Sequence, residues 1–436
     1  MKLYEYQKIG ANWLAQGKYR LLADEMGLGK TLQAIEATRL IGAKKILIVC
    51  PPIARLTWQR EFLKWGSKLN VRVIEKRNEK LSATDQVVIV GFDYVVNNFS
   101  TLSKSSFDLL IVDESHFIKG MEAKRTQSIL GREGIIHATK RAWFLTGTPM
   151  PNHPGELWPL LFTTGATKLS YADFVDYYCT WYEHLGRKCI TGARRVRLPE
   201  LRSSLNSVML RRETASVLPD LPSVRVQEVR LEPKLTALTP QLAEEFEMLK
   251  QYLMKMERTP EQMLAALSVV AGSVSTLRRY CSISKVEPLA ALIKEELENK
   301  TYEKIVIFGV HREALASLSN ALQQHGVARI DGSINAAERQ RAIDSFQSDP
   351  KCQIFIGNIQ AAGTNITLTA SHHVIFLEQS WVPGDNQQAI ARCARIGQKN
   401  SVFVRYCTLA NTIDEKVQEI LASKSFDIEE LLKVSA

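Results

Sequence analysis

The sequence predicts an α/β protein built on two parallel β-sheets, with helical segments between them. Up to about residue 165, short apolar runs rich in β-branched residues alternate with helical patterns, as in "KILIVCPP" from Lys45 and "FDLLIVDESH" from Phe107. Continuous runs of this kind are typical of strands that are covered on both faces. The same alternation stops and then resumes, from "KIVIFGVH" at Lys304 to "VFVRYCTL" at Val402. Two α/β units are therefore expected.

Residues 166 to about 300 interrupt this alternation with mostly helical patterns, including the charged stretch "LAEEFEMLKQYLMKMER". The tail "NTIDEKVQEIL" begins with a capping box, Thr412 with Glu415, and continues with apolar residues at helical spacing. We therefore expect three segments. They are a first α/β unit over residues 1–222 with a helical protrusion from about 166, a helical segment over 223–300 that opens the second unit, and the rest of that unit over 301–436 with a short C-terminal helix.

The composition indicates a soluble protein with two or three cores, since the 436 residues are 45% hydrophobic and 23% charged. The longest uncharged stretch, "MLAALSVVAGSVSTL" from Met263, is shorter than the ~20 residues that a membrane span needs. It favours a buried helix, and no membrane partner is expected. The seven cysteines are scattered without a C-x-x-C pair, which predicts a reducing, intracellular setting (cytoplasmic, nucleoid or nuclear) and no structural zinc.

The charge distribution favours a polyanionic partner. The net charge is +10, and one stretch carries eight basic residues against a single acid, Glu200. The alternative for such a run is a solvated helical face. The eight residues are Arg187, Lys188, Arg194, Arg195, Arg197, Arg202, Arg211 and Arg212.

The stretch "DEMGLGKT" from Asp24 is similar to the phosphate-binding loop G-x-x-x-x-G-K-[ST], with an aspartate where the first glycine is usual. An apolar run precedes it and a helical pattern follows, so the helix N-terminus points towards an anion. In such a loop, backbone N–H groups at Gly27 and Gly29 surround the phosphates and Lys30 reaches the β and γ oxygens. The Thr31 hydroxyl binds Mg²⁺.

A second motif supports this interpretation. The apolar run "FDLLIVDESH" ends in Asp113 and Glu114, about eighty residues after the loop. A carboxylate at a strand tip holds Mg²⁺, and its neighbour orients the attacking water. Together the two motifs predict that the chain binds and hydrolyses a nucleotide.

The ordered motifs resemble those of helicase superfamily two, in its Swi/Snf-type branch. "DEMGLGKT", "DESH" and "LTGTP" resemble motifs I, II and III, and "LYEYQKIGANWL" resembles the adenine-recognition motif, with Gln7 in the matching place. "CPPIARLTWQREFLKW" is similar to motif Ia, "KIVIFGVHREAL" to motif IV, "QAAGTNITLTASHHVIFLEQSWVPG" to motif V and "QAIARCARIGQ" to motif VI. "DESHFIKG" and the "AAG" of motif V are closest to the HepA-related annealing helicases.

The resemblance implies two RecA-like lobes with ATP and Mg²⁺ between them. Arg392 and Arg395 are expected on one helix face as arginine fingers for a γ-phosphate held by the other lobe, so that hydrolysis requires the lobes to close. The implied catalytic residues are Lys30, Asp113, Glu114, Arg392 and Arg395, with Thr31 and Asp113 as metal ligands. The implied nucleotide-binding residues are Gln7, Gly27, Leu28, Gly29, Lys30, Thr31 and Gln388.

The resemblance also implies residues that couple the ATP site to DNA and residues that hold DNA. Contacts to phosphates carry no base information, so the grip on DNA is expected to be independent of sequence. For His116 a buried structural histidine is the alternative, for Trp381 a core aromatic, and for the first-lobe turns plain loop chemistry. The coupling residues are His116, Thr146, Thr148 and Trp381. The DNA-contact residues are Arg55, Thr57, Gly91, Gly363, Thr364, Arg194 and Arg195.

The function expected from this resemblance is a DNA-dependent ATPase that tracks along double-stranded DNA and remodels or reanneals branched DNA. One alternative is a strand-separating helicase, which would need a separating hairpin, and the sequence shows no obvious one. The other is an ATP-gated DNA-binding module that recruits a partner. "WVPG" and "GTNIT" depart from the usual motifs and bear on the DNA grip. Targeting is expected from the basic stretch or from a partner protein that the sequence does not identify.

Overall fold

The structure is a computed structural model of the chain. It describes residues 3–65, 68–82, 84–219, 221–232, 244, 271–362, 366–410 and 412–433. The charged helix expected over 242–258 and the first part of "MLAALSVVAGSVSTL" lie outside these ranges, apart from Glu244. The chain divides into two compact units. The first comprises residues 1–179, 193–219 and 428–436, and the second residues 180–192 and 220–427.

The first unit is built on a seven-stranded sheet in the order β3-β4-β2-β5-β6-β1-β9, with parallel pairing throughout. The strands up to residue 210 are β1 (Tyr19–Leu22), β2 (Ile46–Val49), β3 (Val71–Val73), β4 (Val87–Val90), β5 (Phe107–Asp113), β6 (Thr139–Leu145), β7 (Cys179–His184), β8 (Arg187–Ala193) and β9 (Met209–Leu210). The helices up to residue 217 are α1 (Glu5–Gln16), α2 (Lys30–Leu40), α3 (Ala54–Lys64), α4 (Phe92–Asn97), α5 (Phe99–Leu102), α6 (Lys124–Leu130), α7 (Trp158–Thr164), α8 (Tyr171–Tyr178), α9 (Leu198–Asn206) and α10 (Thr214–Val217).

The sheet of the first unit has a separate hydrophobic cluster on each face. Along β2, Leu47 and Val49 belong to one cluster, whereas Ile46 and Ile48 belong to the other. Successive side chains of a strand point to opposite faces, so a strand that is covered on both faces must be apolar at every position. This explains the continuous apolar runs and confirms the predicted parallel sheet.

The protrusion after residue 166 is only partly helical, and here the sequence interpretation was wrong. Helix α8 ends at Tyr178, and β7 and β8 then form a two-stranded sheet joined by the turn Leu185–Gly186. Strands that are joined by so short a turn form an antiparallel hairpin. Residues 179–193 therefore form a β-hairpin that was not predicted from the sequence. This stretch contains aromatic and β-branched residues, which favour strands.

The second unit contains a six-stranded sheet in the order β10-β15-β14-β11-β13-β12, again parallel throughout. Its clusters also alternate along β11, with Ile305 and Ile307 on one face and Val306 and Phe308 on the other. The strands are β10 (Val224–Leu231), β11 (Ile305–Gly309), β12 (Val327–Ile330), β13 (Ile354–Asn358), β14 (His373–Phe376) and β15 (Val402–Leu409). The helices are α11 (Ala271–Ser284), α12 (Val286–Glu298), α13 (Arg312–Ala321), α14 (Ala336–Ser348), α15 (Ile359–Ala362), α16 (Pro383–Ile390) and α17 (Ile413–Leu432).

Two details of this unit differ from the sequence expectation. The segment 223–300 opens with a strand, because β10 pairs with β15 at eight consecutive positions, from Val224 opposite Val402 to Leu231 opposite Leu409. Helix α17 begins at Ile413 as expected, but the Thr412 hydroxyl accepts a hydrogen bond from the Asp414 N–H at 3.2 Å. Among the helices of the described ranges, none is long and apolar enough to span a bilayer.

Candidate active site

The loop between β1 and α2 has a backbone conformation that requires glycine at two positions. Gly27 and Gly29 have φ angles of 90° and 72°, and Gly29 is the N-cap of α2, directly before Lys30. A side chain at Gly29 would be strained and would also clash, because its Cβ would lie 2.6 Å from Gln7 Nε2. The loop therefore has the conformation that the phosphate-binding pattern predicts, with the N-terminus of α2 open to an anion.

Gln7 lies against this loop, as the adenine-recognition motif implies. Its side chain is buried, its Nε2 donates to the Leu28 carbonyl at 3.4 Å, and its Oε1 accepts from the Tyr4 N–H at 3.1 Å. These bonds fix the amide at the end of the loop. The structure thus brings Gln7 against Leu28 and Gly29, which lie 21 and 22 positions further along the chain.

Asp24, which replaces the usual first glycine, is fully buried and is held by charged and polar partners. Arg212 Nη2 donates to Asp24 Oδ2 at 2.6 Å, and its Nε donates to Oδ1 at 2.9 Å. Gln33 on α2 donates to Asp24 Oδ2 at 3.0 Å and accepts from Arg212 at 2.7 Å. The aspartate therefore ties the start of the loop to α2 and to the chain that follows β9. The pairing of Arg212 with Asp24 was not predicted from the sequence.

Lys30 lies inside the loop and donates to two of its carbonyls. The distances from Nζ are 2.7 Å to the Asp24 oxygen and 3.1 Å to the Glu25 oxygen. Burial lowers the pKa of Lys30, against the opposing effect of the nearby carboxylates Glu114, Asp24 and Asp113. Gly147, in "LTGTP", comes so close that a Cβ there would lie 3.5 Å from Nζ. Motif III therefore packs directly on the loop.

Asp113 and Glu114 end β5 at the same edge of the sheet. The Trp58 Nε1–H donates to Asp113 Oδ2 at 2.8 Å, and the Glu114 N–H donates to Asp113 Oδ1 at 2.9 Å. Burial, and then the charge of Glu114, raise the pKa of Asp113 to about 7. Glu114 has a left-handed backbone with φ at 49°, which is uncommon for a residue with a side chain. A carboxylate whose pKa is raised in this way is stabilised in its ionised form by a nearby cation.

His116 connects the acidic pair to motif III. Its Nδ1 lies 3.3 Å from Glu114 Oε2 and 3.1 Å from Thr146 Oγ1. The Thr148 N–H donates to the same Thr146 hydroxyl at 3.0 Å. The predicted coupling residues of the first unit therefore form one continuous polar chain. Both contacts involve the same ring nitrogen, and the coupling role of His116 stays a prediction beside the alternative of a buried structural histidine.

In the second unit, the two arginines of motif VI do not lie on a helix, and this part of the prediction was wrong. Helix α16 ends at Ile390, and the following turns are held by a bond from the Leu368 N–H to the Arg392 carbonyl at 2.9 Å. Arg392 Nε donates to the Gln388 carbonyl at 3.0 Å. Arg395 Nη1 donates to Thr367 Oγ1 at 3.0 Å, and burial lowers its pKa. Backbone pairing with motif V thus replaces the expected helical face.

The residues expected to hold DNA have different environments. Arg55 Nη1 donates to the Ile74 carbonyl at 2.6 Å, and Thr57 is exposed on α3. Gly91 is the N-cap of α4, directly before Phe92. Gly363 and Thr364 lie outside the described residues.

Trp381, the coupling residue expected in the second unit, packs against the hydrophobic cluster of that unit. The Arg278 guanidinium lies 4.7 Å from the centre of its ring, and Lys424 Nζ donates to its carbonyl at 3.4 Å. These contacts agree with the core aromatic that was kept as the alternative. A coupling role for Trp381 stays a prediction.

The basic stretch from Arg187 to Arg212 has two parts with different roles. Arg194 and Arg195 are exposed. Arg202 donates to the Leu431 carbonyl at 3.3 Å, and Arg211 donates to the Ala23 carbonyl at 3.0 Å. Arg212 is paired with Asp24, so the last three arginines of the stretch all make contacts that stabilise the fold. Arg194 Nε donates to the Cys179 carbonyl at 3.1 Å, and contact of the exposed arginines with a polyanion stays a prediction.

A phosphate-binding loop whose lysine lies inside it, an acidic pair at the end of another strand of the same sheet, and two parallel-sheet units define a P-loop nucleotide hydrolase. Sequence comparison then shows its family. The SNF2-related domain matches residues 6–285, and the helicase conserved C-terminal domain matches residues 284–397. The chain belongs to the SNF2-related family. It is a helicase-like ATPase, so ATP is its nucleotide and hydrolysis its reaction.

Named relatives align over nearly the whole chain. The human DNA annealing helicase and endonuclease ZRANB3 is 32% identical over 439 residues, which cover 97% of this chain and 40% of the relative. The Caenorhabditis elegans homologue of the SWI/SNF-related matrix-associated actin-dependent regulator of chromatin subfamily A-like protein 1 is 30% identical over 449 residues, covering 97% and 61%. The chain therefore spans about two fifths to three fifths of these relatives.

A solved structure is also similar to the chain. The Sulfolobus solfataricus SWI2/SNF2 ATPase core in complex with dsDNA is 21% identical, with a TM-score of 0.46, and the match covers 100% of this chain and 98% of that one.

Proposed function

We propose that the chain is a DNA-dependent ATPase that moves along double-stranded DNA without regard to base sequence and remodels or reanneals branched DNA. The human relative is named a DNA annealing helicase, and its match covers 97% of this chain. That support concerns the aligned part only. The output on DNA is therefore the part of the proposal that needs a direct test.

One observation carries the proposal: the ATP site is physically continuous with motif III. Glu114, which would orient the attacking water, lies 3.3 Å from His116, and His116 lies 3.1 Å from Thr146. A change at the γ-phosphate can move this chain of polar contacts, and a change in motif III can move Glu114. Such a two-way link is what an enzyme needs if DNA is to control its hydrolysis.

Mg²⁺ fits the residues present. Asp113 offers a carboxylate whose pKa is raised by burial and by the charge of Glu114, and Thr31 offers a hydroxyl at the start of α2. Magnesium usually takes one or two protein oxygens together with phosphate oxygens and water, which agrees with this small donor set. When bound, the ion would neutralise charge on the phosphates. Among the described residues, no group of three or more His, Cys, Asp or Glu side chains forms a metal cluster.

The remaining roles follow the family motifs. Lys30 is assigned to the β and γ phosphates, Gln7 to adenine, and Gln388, Arg392 and Arg395 to the nucleotide from the second unit. The family matches support this division, because the loop and the acidic pair fall in residues 6–285, and motif VI falls in residues 284–397. We assign residues 1–222 to the first lobe and residues 223–436 to the second.

Duplex or branched DNA is the proposed partner, held by the backbone phosphates. Arg55, Thr57, Gly91, Gly363, Thr364, Arg194 and Arg195 are the proposed contacts, and a targeting protein is a further proposed partner. An intracellular compartment that holds DNA is the corresponding setting.

Displacement of a third strand from a triplex tests movement directly. A motor that tracks along duplex DNA removes a triplex-forming oligonucleotide when ATP is present. A static ATP-gated clamp hydrolyses ATP and leaves the third strand in place. The proposal predicts release by the wild-type chain and none by Lys30→Ala. Hydrolysis without release would support the clamp, and separation of a labelled fork without a third strand would support a strand-separating helicase.

A further inference from the structure

The β7–β8 hairpin ends in an exposed leucine held in an unusual conformation. Leu185 and Gly186 form the turn, with φ angles of 50° and 73°. Two positive φ angles are typical of a type I′ turn, in which asparagine and glycine are the preferred residues. Leu185 nevertheless occupies the first position, with 88% of its surface exposed. A large apolar side chain is thus held in solvent, at a position where a small polar one would suit the backbone better.

The strands behind this tip carry the opposite chemistry. Arg187 is exposed at the start of β8. The next residue, Lys188, places its Nζ 4.3 Å from the centre of the Trp181 ring on β7. The Thr180 and Thr191 hydroxyls are 3.0 Å apart and join the two strands near their base. The hairpin is therefore an arm with two basic residues and one exposed acid, Glu183, behind an apolar end.

These two kinds of surface have different partners on DNA. Cationic side chains bind phosphates on any duplex. An apolar tip gains nothing from a phosphate and is desolvated only by an apolar surface, and the largest apolar surface on DNA is the face of a base. In a continuous duplex each base-pair face is covered by its neighbour. At a branch point, one face of the last base pair is open, as it is at steps into which apolar side chains wedge.

We propose that the hairpin is a junction-recognition element. Leu185 packs on the terminal base pair at the branch point of forked DNA, while Arg187 and Lys188 hold the flanking phosphates. The inference rests on the proposed action on DNA and adds the structure that is recognised. Leu185 is then the residue that makes the chain prefer forked DNA to plain duplex.

Leu185→Asn is the variant that isolates the tip. Asparagine is preferred at this position of the turn, so the hairpin is kept or strengthened while the apolar end is lost. Leu40→Asn is the matched control, because Leu40 is also an exposed leucine (44%), at the C-terminal end of α2. Two readouts apply to the full chain. The first is the DNA concentration for half-maximal ATPase stimulation, on forked DNA and on closed circular duplex. The second is the fluorescence of 2-aminopurine placed at the fork junction, without ATP.

The wild-type chain is expected to prefer forks and to change the junction fluorescence. Leu185→Asn is expected to lower the fork preference by roughly fivefold or more, on the order expected when the burial of one leucine side chain is lost, and to remove the fluorescence change. Its stimulation by circular duplex stays at the wild-type level, and Leu40→Asn behaves as wild type.

A Leu185→Asn chain with the wild-type fork preference and fluorescence would overturn the inference, with the proposed function left intact. The tip would then serve a different kind of partner, such as a protein. If circular duplex failed to stimulate even the wild-type chain, the proposed function would be wrong. The fluorescence of the junction would still test the tip on its own, since that readout needs no hydrolysis.

Discussion

Arg212 and Asp24 form a buried ion pair, with 2.6 Å between Arg212 Nη2 and Asp24 Oδ2, although 188 positions separate them in the sequence. The arginine also donates to the Tyr6 carbonyl. It therefore joins three segments: α1, the first residue of the phosphate loop, and the chain that follows β9. Other phosphate-binding loops usually have a glycine at the position of Asp24. In this protein the start of the loop is shaped instead by the ion pair between Asp24 and Arg212.

Arg212→Ala should destabilise the first unit strongly. Removing the arginine leaves the Asp24 carboxylate buried without its counter-charge, a change that costs about 3–5 kcal/mol. Chemical denaturation of the full chain measures the loss in the free energy of unfolding. Arg39→Ala is the matched control, since Arg39 pairs with Glu36 at the surface of α2 and should change stability by no more than about 0.5 kcal/mol. An Arg212→Ala chain as stable as the control would mean that the pair does not hold the loop.

Glu114→Gln should separate ATP binding from hydrolysis. The amide keeps the size of the side chain but cannot act as a base, so turnover should fall by roughly 10² or more, while nucleotide binding stays near wild type. A fluorescent ATP analogue measures binding, and phosphate release measures turnover. Glu133→Gln, at an exposed position, is the control. Turnover within threefold of wild type for Glu114→Gln would remove Glu114 from the catalytic set.

Charge reversal at Arg194 and Arg195 should weaken DNA stimulation and leave basal hydrolysis intact. Both side chains are exposed, and fewer phosphate contacts lower both the affinity for DNA and its dependence on salt. The measurement is the DNA concentration for half-maximal ATPase at two salt concentrations. A double variant with the same change in charge elsewhere, Lys104→Glu with Arg132→Glu, is the control. A parallel fall in basal and stimulated rates would assign Arg194 and Arg195 to folding.

Stability should fall with pH below about 6.5 because of His373. Burial, then the neighbouring His372 and Arg405, lower the pKa of His373 to about 4 in the folded chain. The unfolded chain, with a histidine pKa of about 6.5, binds the proton first, so the free energy of unfolding decreases as pH falls from 6.5 to 4. The expected loss at pH 5 is of the order of 1–2 kcal/mol.

His373→Phe should flatten this dependence. The phenylalanine keeps the stacking on Phe403, whose ring centre lies 5.3 Å from that of His373, and it cannot be protonated. Thermal unfolding of the full chain between pH 4.5 and 7 measures the slope, with His137→Gln, at an exposed position, as the control. An unchanged slope in His373→Phe would assign the pH dependence to other groups.

The sequence predicted the elements that have a strong local signal. Runs such as residues 46–49 are apolar at every position, which is typical of strands that are covered on both faces. The glycines of the phosphate-binding loop predicted a backbone with positive φ angles, which Gly27 and Gly29 have. The order of Lys30, Asp113 and Glu114 was enough to predict the ATP site. In each case the physical cause lies within a few neighbouring residues.

What the sequence did not reveal depends on contacts between distant segments. The pairing of Arg212 with Asp24 has no local signature, and the turn at Arg392 depends on a backbone bond from Leu368. The hairpin did have a signal, because "CTWYEHLGRKCIT" is rich in strand-forming residues on both sides of a single glycine. The turn was not predicted because a leucine stands before that glycine, where asparagine is the usual signal of a hairpin turn.

Control of the ATPase by DNA is tested by the ATPase rate measured with no nucleic acid and with single-stranded, duplex and forked DNA. Duplex and forked DNA should raise the rate tenfold or more, on the order expected when a bound partner completes the hydrolytic site. Lys30→Ala should be inactive with every substrate, and Lys44→Ala, exposed near the end of α2, should be unaffected. A wild-type rate that is the same with and without each nucleic acid would show that DNA does not control the enzyme.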